Sequence, residues 1–258
     1  MNLVSFHEDD LPIQDLETIG LAAGGQLLLN VDDLKALLSG RRTGLLELHD
    51  LETDNIKIKS INAKISLKPN EQGKLDLLIH PIYRKAEVPD LLTDSEAQQL
   101  RKGEVGSLLK ITLDNHGNKK EMLVEYDPET KEYIVSDTDK ILAPDMVNNE
   151  FLTPAQKENY RKGKEVQIAD GTKFSYSGTD HHGIRSNKLA LVASILIDGG
   201  LSYMVYKGLN ALFNQKREPK AAEKLSPGYY KAIKDIENQH GFVPHQFDRT
   251  YTRGGRSR

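Results

Sequence analysis

Apolar and polar positions along this chain follow two periods, and the periods alternate in a repeating order. In Leu29–Gly40 (LNVDDLKALLSG), Leu34, Leu37 and Leu38 recur at helical spacing behind a capping Asn30, and Gly40 closes the run. The same phrase returns as Leu92–Gly103 (LTDSEAQQLRKG) and as Leu152–Gly163 (LTPAQKENYRKG), starting 63 and then 60 residues further on. Each copy predicts a leucine, a cap, a helix of about three turns and a stop at glycine, the residue that tolerates the left-handed conformation at a helix end. Thr93 with Glu96, and Thr153 with Gln156, have the spacing of capping boxes, and Pro154 stands at the first helical position. A unit that recurs in this way points to duplicated modules.

Between these phrases the period falls to two, which predicts strands. Leu45–Leu48 is the first. In the next, Ile56 and Ile58 are followed after a break by Ile61, Ala63, Ile65 and Leu67, so a bulge is expected at Ser60. A turn over Pro69–Gly73 leads to a returning strand, Leu75–Ile79. After the second helix, Ser107–Leu113, Glu121–Tyr126 and the KEYIVS run that follows the Asp127–Thr130 turn predict a three-stranded meander. After the third, Asp170-Gly171 sits between alternating segments of Val166–Tyr176 and is the clearest hairpin signal in the chain. Upstream, Pro12 and Gly20 bracket a short amphipathic turn that carries Leu16 and Ile19.

From Asn187 the pattern changes. Leu189–Ile197 is apolar all round, Asp198-Gly199-Gly200 interrupts it, and the apolar character resumes to Phe213. The favoured reading is a buried helix broken at the glycine pair, or a hairpin of two helices. A span across a membrane would need about 20 cleaner residues. A docking surface for a partner is the open alternative, with Leu196, Leu201, Val205 and Leu209 as its apolar contacts. Lys216–Lys224 reads as a polar linker. Pro227–Gln239 reads as a helix with Tyr230, Ile233 and Ile236 inward, and the rest as a disordered basic tail.

Composition adds constraints. The chain has 258 residues, 28% of them charged, and a mean hydropathy of −0.54, so it carries enough apolar material for two or three small cores without a membrane-like surface. It contains no cysteine, which removes disulfides, thiolate metal sites and a cysteine nucleophile, and fits a reducing, cytoplasmic setting. The N-terminus has neither a basic start nor a long apolar run, unlike a secretory signal. The net charge of −3 hides a split: residues 1–180 carry −10 and residues 181–258 carry +7. A basic end of this kind fits an anionic partner, or the acidic body of the same chain.

Candidate chemistry is sparse. Basic pairs flank the three glycines: Arg41 and Arg42, Arg101 and Lys102, Arg161 and Lys162. They could contact phosphates, although cations at helix C-termini also complement the helix dipole, and that explanation is favoured. Arg249, Arg253, Arg256 and Arg258 lie near Tyr251 and Gly254-Gly255, a composition shared with binders of single-stranded nucleic acid. Asp180, His181 and His182 are potential metal ligands, but on an extended loop adjacent side chains point apart, so no metal site is expected. Phosphate-binding, dinucleotide and hydrolase motifs are absent from the sequence, and no acid–base pair stands out.

Leu11–Leu21, the LLSGRRTGLLEL stretch, AKISL and the LTxxxxxxxRKG units resemble a bacterial family of mobile genetic elements. It is the domain of unknown function numbered four thousand and ninety-nine, with the related repeat domain found beside it in conjugative elements. The likeness runs over roughly Leu11 to Tyr176. It implies a protein carried by mobile DNA, sometimes as part of larger proteins that protect or process incoming DNA, and it brings no catalytic residues.

The sequence thus predicts an α+β chain of tandem small modules, each a helix, a glycine stop and antiparallel strands, followed by a helical region and a disordered basic tail. The expected boundaries are 1–90, 91–150, 151–186, 187–240 and 241–258. The expected role is a non-enzymatic recognition protein without cofactors. Its partner would be nucleic acid or a nucleic-acid-processing protein. The other expectation is a protein–protein adaptor or inhibitor working through residues 189–213, where oligomer formation would also be accommodated.

Overall fold

The structure, a computed structural model, describes residues 6–53, 56–197, 200–207, 209 and 225–240. These form two compact units. The first comprises the described residues up to Ala97 together with Tyr126–Tyr133; the second comprises Gln98–Glu125 and the described residues from Ile134 onward. The fold class is α+β, with short helices and antiparallel sheets.

In the first unit, helix α1 (Ile13–Thr18), the small hairpin β1 (Ala22–Ala23) and β2 (Gln26–Leu27), and helix α2 (Val31–Leu38) precede the sheet β3 (Leu46–Thr53), β4 (Ile56–Pro69) and β5 (Leu75–Pro81). Ala63, Ile65 and Leu67 on β4 point to the face covered by the helices and pack with Leu16, Leu34, Leu37 and Leu48. No bulge occurs at Ser60. Pairing of β3 with β4 keeps one register from Leu46↔Ala63 to Thr53↔Ile56, with His49 opposite Ser60. Where the apolar alternation breaks, Ile58 is exposed, whereas Ile61 packs against the core.

Helix α3 (Asp94–Lys102) spans the boundary between the units. After it come β6 (Leu108–Leu113), β7 (Lys119–Asp127) and β8 (Glu132–Asp137), in that spatial order. Next is a tight hairpin, β9 (Met146–Val147) and β10 (Glu150–Phe151), turned by Asn148 and Asn149, both at positive φ (47° and 66°). Asparagine accepts that conformation more readily than other side-chain-bearing residues. Helix α4 (Pro154–Arg161) is followed by β11 (Val166–Gln167), β12 (Lys173–Tyr176) and β13 (Ile184–Ser186), again neighbours in chain order.

The three repeated phrases fold alike at their ends. Asn30 accepts a hydrogen bond from the Asp33 amide, Thr93 from that of Glu96 and Thr153 from that of Gln156. At the other end Gly40, Gly103 and Gly163 have φ of 68°, 69° and 68°. Each glycine N–H donates three residues back, to Leu37, Leu100 and Tyr160. The N–H of the following residue donates five back, to Ala36, Gln99 and Asn159. This pair of bonds is the Schellman closure, which satisfies carbonyls that the helix leaves open.

The expectation of a helical region after residue 187 is corrected. Residues Ala190–Ile197 and Gly200–Lys207 are strands, β14 and β15, paired antiparallel from Ala190↔Lys207 to Ile197↔Gly200. β14 also pairs with β9, giving the order β10-β9-β14-β15. The all-round apolar character that suggested a helix arises because β14 is covered on both faces. Leu191 and Ala193 pack into the core with Phe174 and Tyr206, while Ala190 and Val192 pack against helix α5 (Pro227–His240). A continuous apolar run suits a strand buried on both sides, and β-branched Val192, Ile195, Ile197 and Val205 favour it. Helix α5 forms as expected, but Tyr229, Ala232 and Ile236 are its buried residues, and Tyr230 is exposed. Its start is held by polar contacts. The Ser226 hydroxyl donates to Asp170 (2.6 Å) and accepts from the Tyr229 amide, and buried Asn148 donates to Asp170, Thr172 and Ser226. The predicted linker 216–224 and tail 241–258 lie outside the described residues. Among the described residues, no helix is long and apolar enough to cross a membrane.

The helix-stop glycines differ in one testable way. A Cβ on Gly163 would sit 2.9 Å from Leu123 Cδ1 and 3.1 Å from the Ser107 hydroxyl, whereas one on Gly103 would meet nothing within 4 Å. Gly103→Ala should cost about 1–2 kcal/mol, for the left-handed backbone alone. Gly163→Ala should cost clearly more in urea denaturation, because Leu123 is core. Equal losses would contradict this packing.

Candidate functional site

Two clusters of polar side chains and one apolar surface row are the features from which function can be argued. The first cluster lies in the first unit, on the outer face of β4 and β5. Lys64 and Ser66 alternate with the core residues of β4, and His80 faces them from β5, opposite Lys64 in the strand register. The Asp127–Thr130 turn and the start of β8 lie against this face. Lys64 is 1% exposed, and its ammonium is 2.7 Å from Asp127 and 2.8 Å from Glu129. The Ser66 hydroxyl is 2.8 Å from His80 Nε2, and His80 Nδ1 is 3.7 Å from Glu132. The Arg42 guanidinium, carried by the chain leaving α2, donates to Glu132 at 2.6 Å. Burial opposes ionisation of Glu132, but the His80 imidazole and the Arg42 charge outweigh it and hold the carboxyl at about 2.

Serine, histidine and carboxylate in a row invite comparison with a hydrolytic triad. Two details argue for a structural role. The Glu132–His80 separation exceeds hydrogen-bond length, and the same carboxylate already accepts from the Arg42 guanidinium. The row binds the hairpin to the sheet.

The second cluster lies in the second unit, around the loop from Ser177 to Arg185. Glu125, on β7, is buried and accepts from the Ser177 hydroxyl (2.9 Å) and the Gly178 amide. Burial pushes its carboxyl upward despite these bonds and the nearby Arg185. Thr179 links Ser177 to Arg185. Asp180 to Gly183 form a tight turn: the Gly183 amide donates to the Asp180 carbonyl, the His182 amide donates to Asp180 Oδ1, and Gly183 has a φ of 70°. The extended loop expected for Asp180, His181 and His182 is therefore not what forms. Their rings and carboxylate gather on one side, with one ligand atom from each within 4.8 Å of the others.

The third feature is on β6, an edge strand that pairs with β7 alone among the described residues. Leu109, Ile111 and Leu113 share one face and are 37%, 65% and 67% exposed, while Lys110 and Thr112 are turned to the partly buried side. This inverts the usual arrangement of a strand with one solvated face.

The cations flanking the glycines are largely engaged by carboxylates. Arg42 holds Glu132. Lys162 is 2.7 Å from Glu121 and 3.1 Å from Glu158, and these bonds raise its ammonium above the ordinary range. Arg161 donates to the Ile141 carbonyl and lies 3.8 Å from Glu158, and Lys102 lies 3.7 Å from Glu104. Arg41 is half-buried and Arg101 is exposed. The six belong to three different helix ends. Arg249, Arg253, Arg256 and Arg258 lie outside the described residues. Of the apolar contacts expected between 189 and 213, Leu209 is buried in the core and Val205 packs beside α5. The backbones of Leu196 and Leu201 pair with each other, and their side chains are outside the described set.

Sequence reading missed the Lys64 cluster because its partners are 63 residues away, and an alternating lysine normally faces solvent. It missed the β6 row because alternation gives the spacing of a face and not which side water occupies.

A family model described as protein of unknown function (DUF4099) matches residues 6–90. No curated protein and no solved structure matches the chain. The matched span takes in α1 through β5 and ends before the Tyr126–Tyr133 segment that completes the first unit.

Glu132 makes a pH prediction. Its folded value is depressed from 4.5 to about 2, so it contributes stability above the unfolded value, which is lost as pH falls toward 2. Urea midpoints of the wild type should drop between about pH 5 and pH 2 more steeply than those of Glu132→Gln. At neutral pH the variant should be less stable by roughly 1–3 kcal/mol. Parallel pH curves would contradict the assignment.

Proposed function

We propose that this protein is a non-enzymatic interaction module, built from three copies of a unit made of a helix, a glycine stop and a meander. In this reading it pairs with a second copy of itself along the edge strand β6. The observation that carries the reading is the exposed row Leu109, Ile111 and Leu113 on a strand whose other edge is paired. An open edge with an apolar face is a template for a further strand.

The sequence of β6 favours its own copy as the occupant. Antiparallel pairing about a two-fold axis at Ile111 sets Leu109 opposite Leu113, Ile111 opposite Ile111 and Lys110 opposite Thr112. Leu109, Ile111 and Leu113 of both copies then meet on one face, and no lysine faces a lysine. The resemblance to proteins of mobile elements supplies a context in which such a dimer would serve a partner that handles nucleic acid. The engagement of Arg42, Lys102, Arg161 and Lys162 by carboxylates leaves the helix-end cations poorly placed to lead phosphate contacts. That is why the interaction reading is preferred to direct nucleic-acid binding.

Sedimentation equilibrium of the full chain tests it. The wild type should be a dimer at concentrations well above micromolar, and Ile111→Lys, at an exposed position, should be a folded monomer. A wild type that stays monomeric, or an Ile111→Lys variant that still dimerises, would reject the β6 interface. Salt-sensitive binding of a monomeric wild type to single-stranded DNA would instead favour the reading based on the C-terminal arginines.

A further inference from the structure

We propose that the Asp180–Gly183 turn is a binding site for a divalent transition-metal ion of the zinc class, with Asp180, His181 and His182 as its ligands. The donor set is one carboxylate and two imidazoles, which suits zinc, cobalt, nickel or copper and disfavours magnesium and calcium. The geometry is close to what such an ion needs. Asp180 Oδ1 lies 3.2 Å from His182 Nδ1 and 3.9 Å from His181 Nδ1, and the three ligand atoms fall within 4.8 Å of one another. Ligand atoms bonded at about 2.0–2.1 Å around a tetrahedral zinc are roughly 3.3 Å apart, so separations within 4.8 Å need to shorten by at most about 1.5 Å to close the set.

The backbone, rather than chance orientation, brings these groups together. Consecutive residues of an extended chain direct their side chains to opposite sides. Here the turn reverses the chain at Asp180–Gly183, and the Asp180 side chain caps the His182 amide, so both rings lie beside the same carboxylate with centroids 3.9 Å apart. The turn is fixed from two directions. The Tyr160 hydroxyl of α4 donates to the Gly183 carbonyl at 3.0 Å, and the Tyr206 ring of β15 packs edge-on against His182. Asp180 and His182 are buried, while His181 keeps partial exposure, which gives an ion a route in. Three protein ligands leave a fourth position for water or for a group from a partner.

The test is titration of the full-length protein with cobalt(II) and zinc(II). Cobalt(II) should produce visible absorption of a low-symmetry site at one equivalent per chain, zinc(II) should displace it, and magnesium should not. His181→Ala replaces the most exposed ligand and should weaken binding by about tenfold or more. Asp180→Asn should weaken it as well. Replacing buried His182 would also disturb its packing against Tyr206, so the comparison uses the other two ligands. No cobalt(II) absorption in the wild type, or wild-type affinity in both His181→Ala and Asp180→Asn, would overturn the proposal.

Discussion

The first unit depends on a buried positive charge. Lys64 stands in the middle of the longest strand, on the face of the sheet that the helices do not cover, and its ammonium is out of water. An isolated ammonium there would be costly enough to disrupt the fold. Asp127 and Glu129 remove that cost, and because they lie in the turn between β7 and β8, they draw a sequence-remote segment into the unit. Once the turn is seated, Glu132 comes within reach of Arg42 and His80, and the Tyr83 amide donates to the Thr130 carbonyl. The outer face of β4 and β5 is thereby covered by matched polar groups in place of apolar ones. The residues that close the unit thus lie outside the span that the family model matches.

Local rules govern the rest of the architecture, and those parts were legible in the chain. The three helices begin at side-chain caps and end at glycines with almost the same φ, because capping and the left-handed stop are decided within five residues. The strand after each glycine, the Asp170-Gly171 hairpin and the meander following α3 follow the same logic. Each is a period-two segment bounded by its own turn chemistry. Sequence pattern failed where the deciding partner is far away. The β14–β15 hairpin looks helical because it is apolar on both faces, and that reflects two separate cores, one of them made with α5. Ser60 looks like a bulge because Ile58 is apolar, yet Ile58 is simply exposed.

The candidate sites follow the same division. Asp180, His181 and His182 were visible as ligand types, but their convergence depends on a turn fixed by Tyr160 and Tyr206. The row on β6 was visible as a strand, but its exposure depends on which face the sheet turns inward. The basic pairs at the helix ends were visible as charges, and their local acidic neighbours take up much of that charge. What emerges is a protein whose buried polar groups hold elements in place, and whose described surface includes an apolar row on β6.

The claim that the Lys64 charge closes the first unit is tested most directly by a double-mutant cycle in urea denaturation of the full chain, using Lys64→Met, Asp127→Leu and their combination. Each single change should be strongly destabilising, by about 3–5 kcal/mol, because Lys64→Met strands the buried Asp127 carboxylate and Asp127→Leu leaves the buried ammonium with the exposed Glu129 as its carboxylate partner, and the double variant should recover most of the loss. Additive losses, or single variants as stable as the wild type, would show that the lysine and the turn do not depend on one another and would contradict the account.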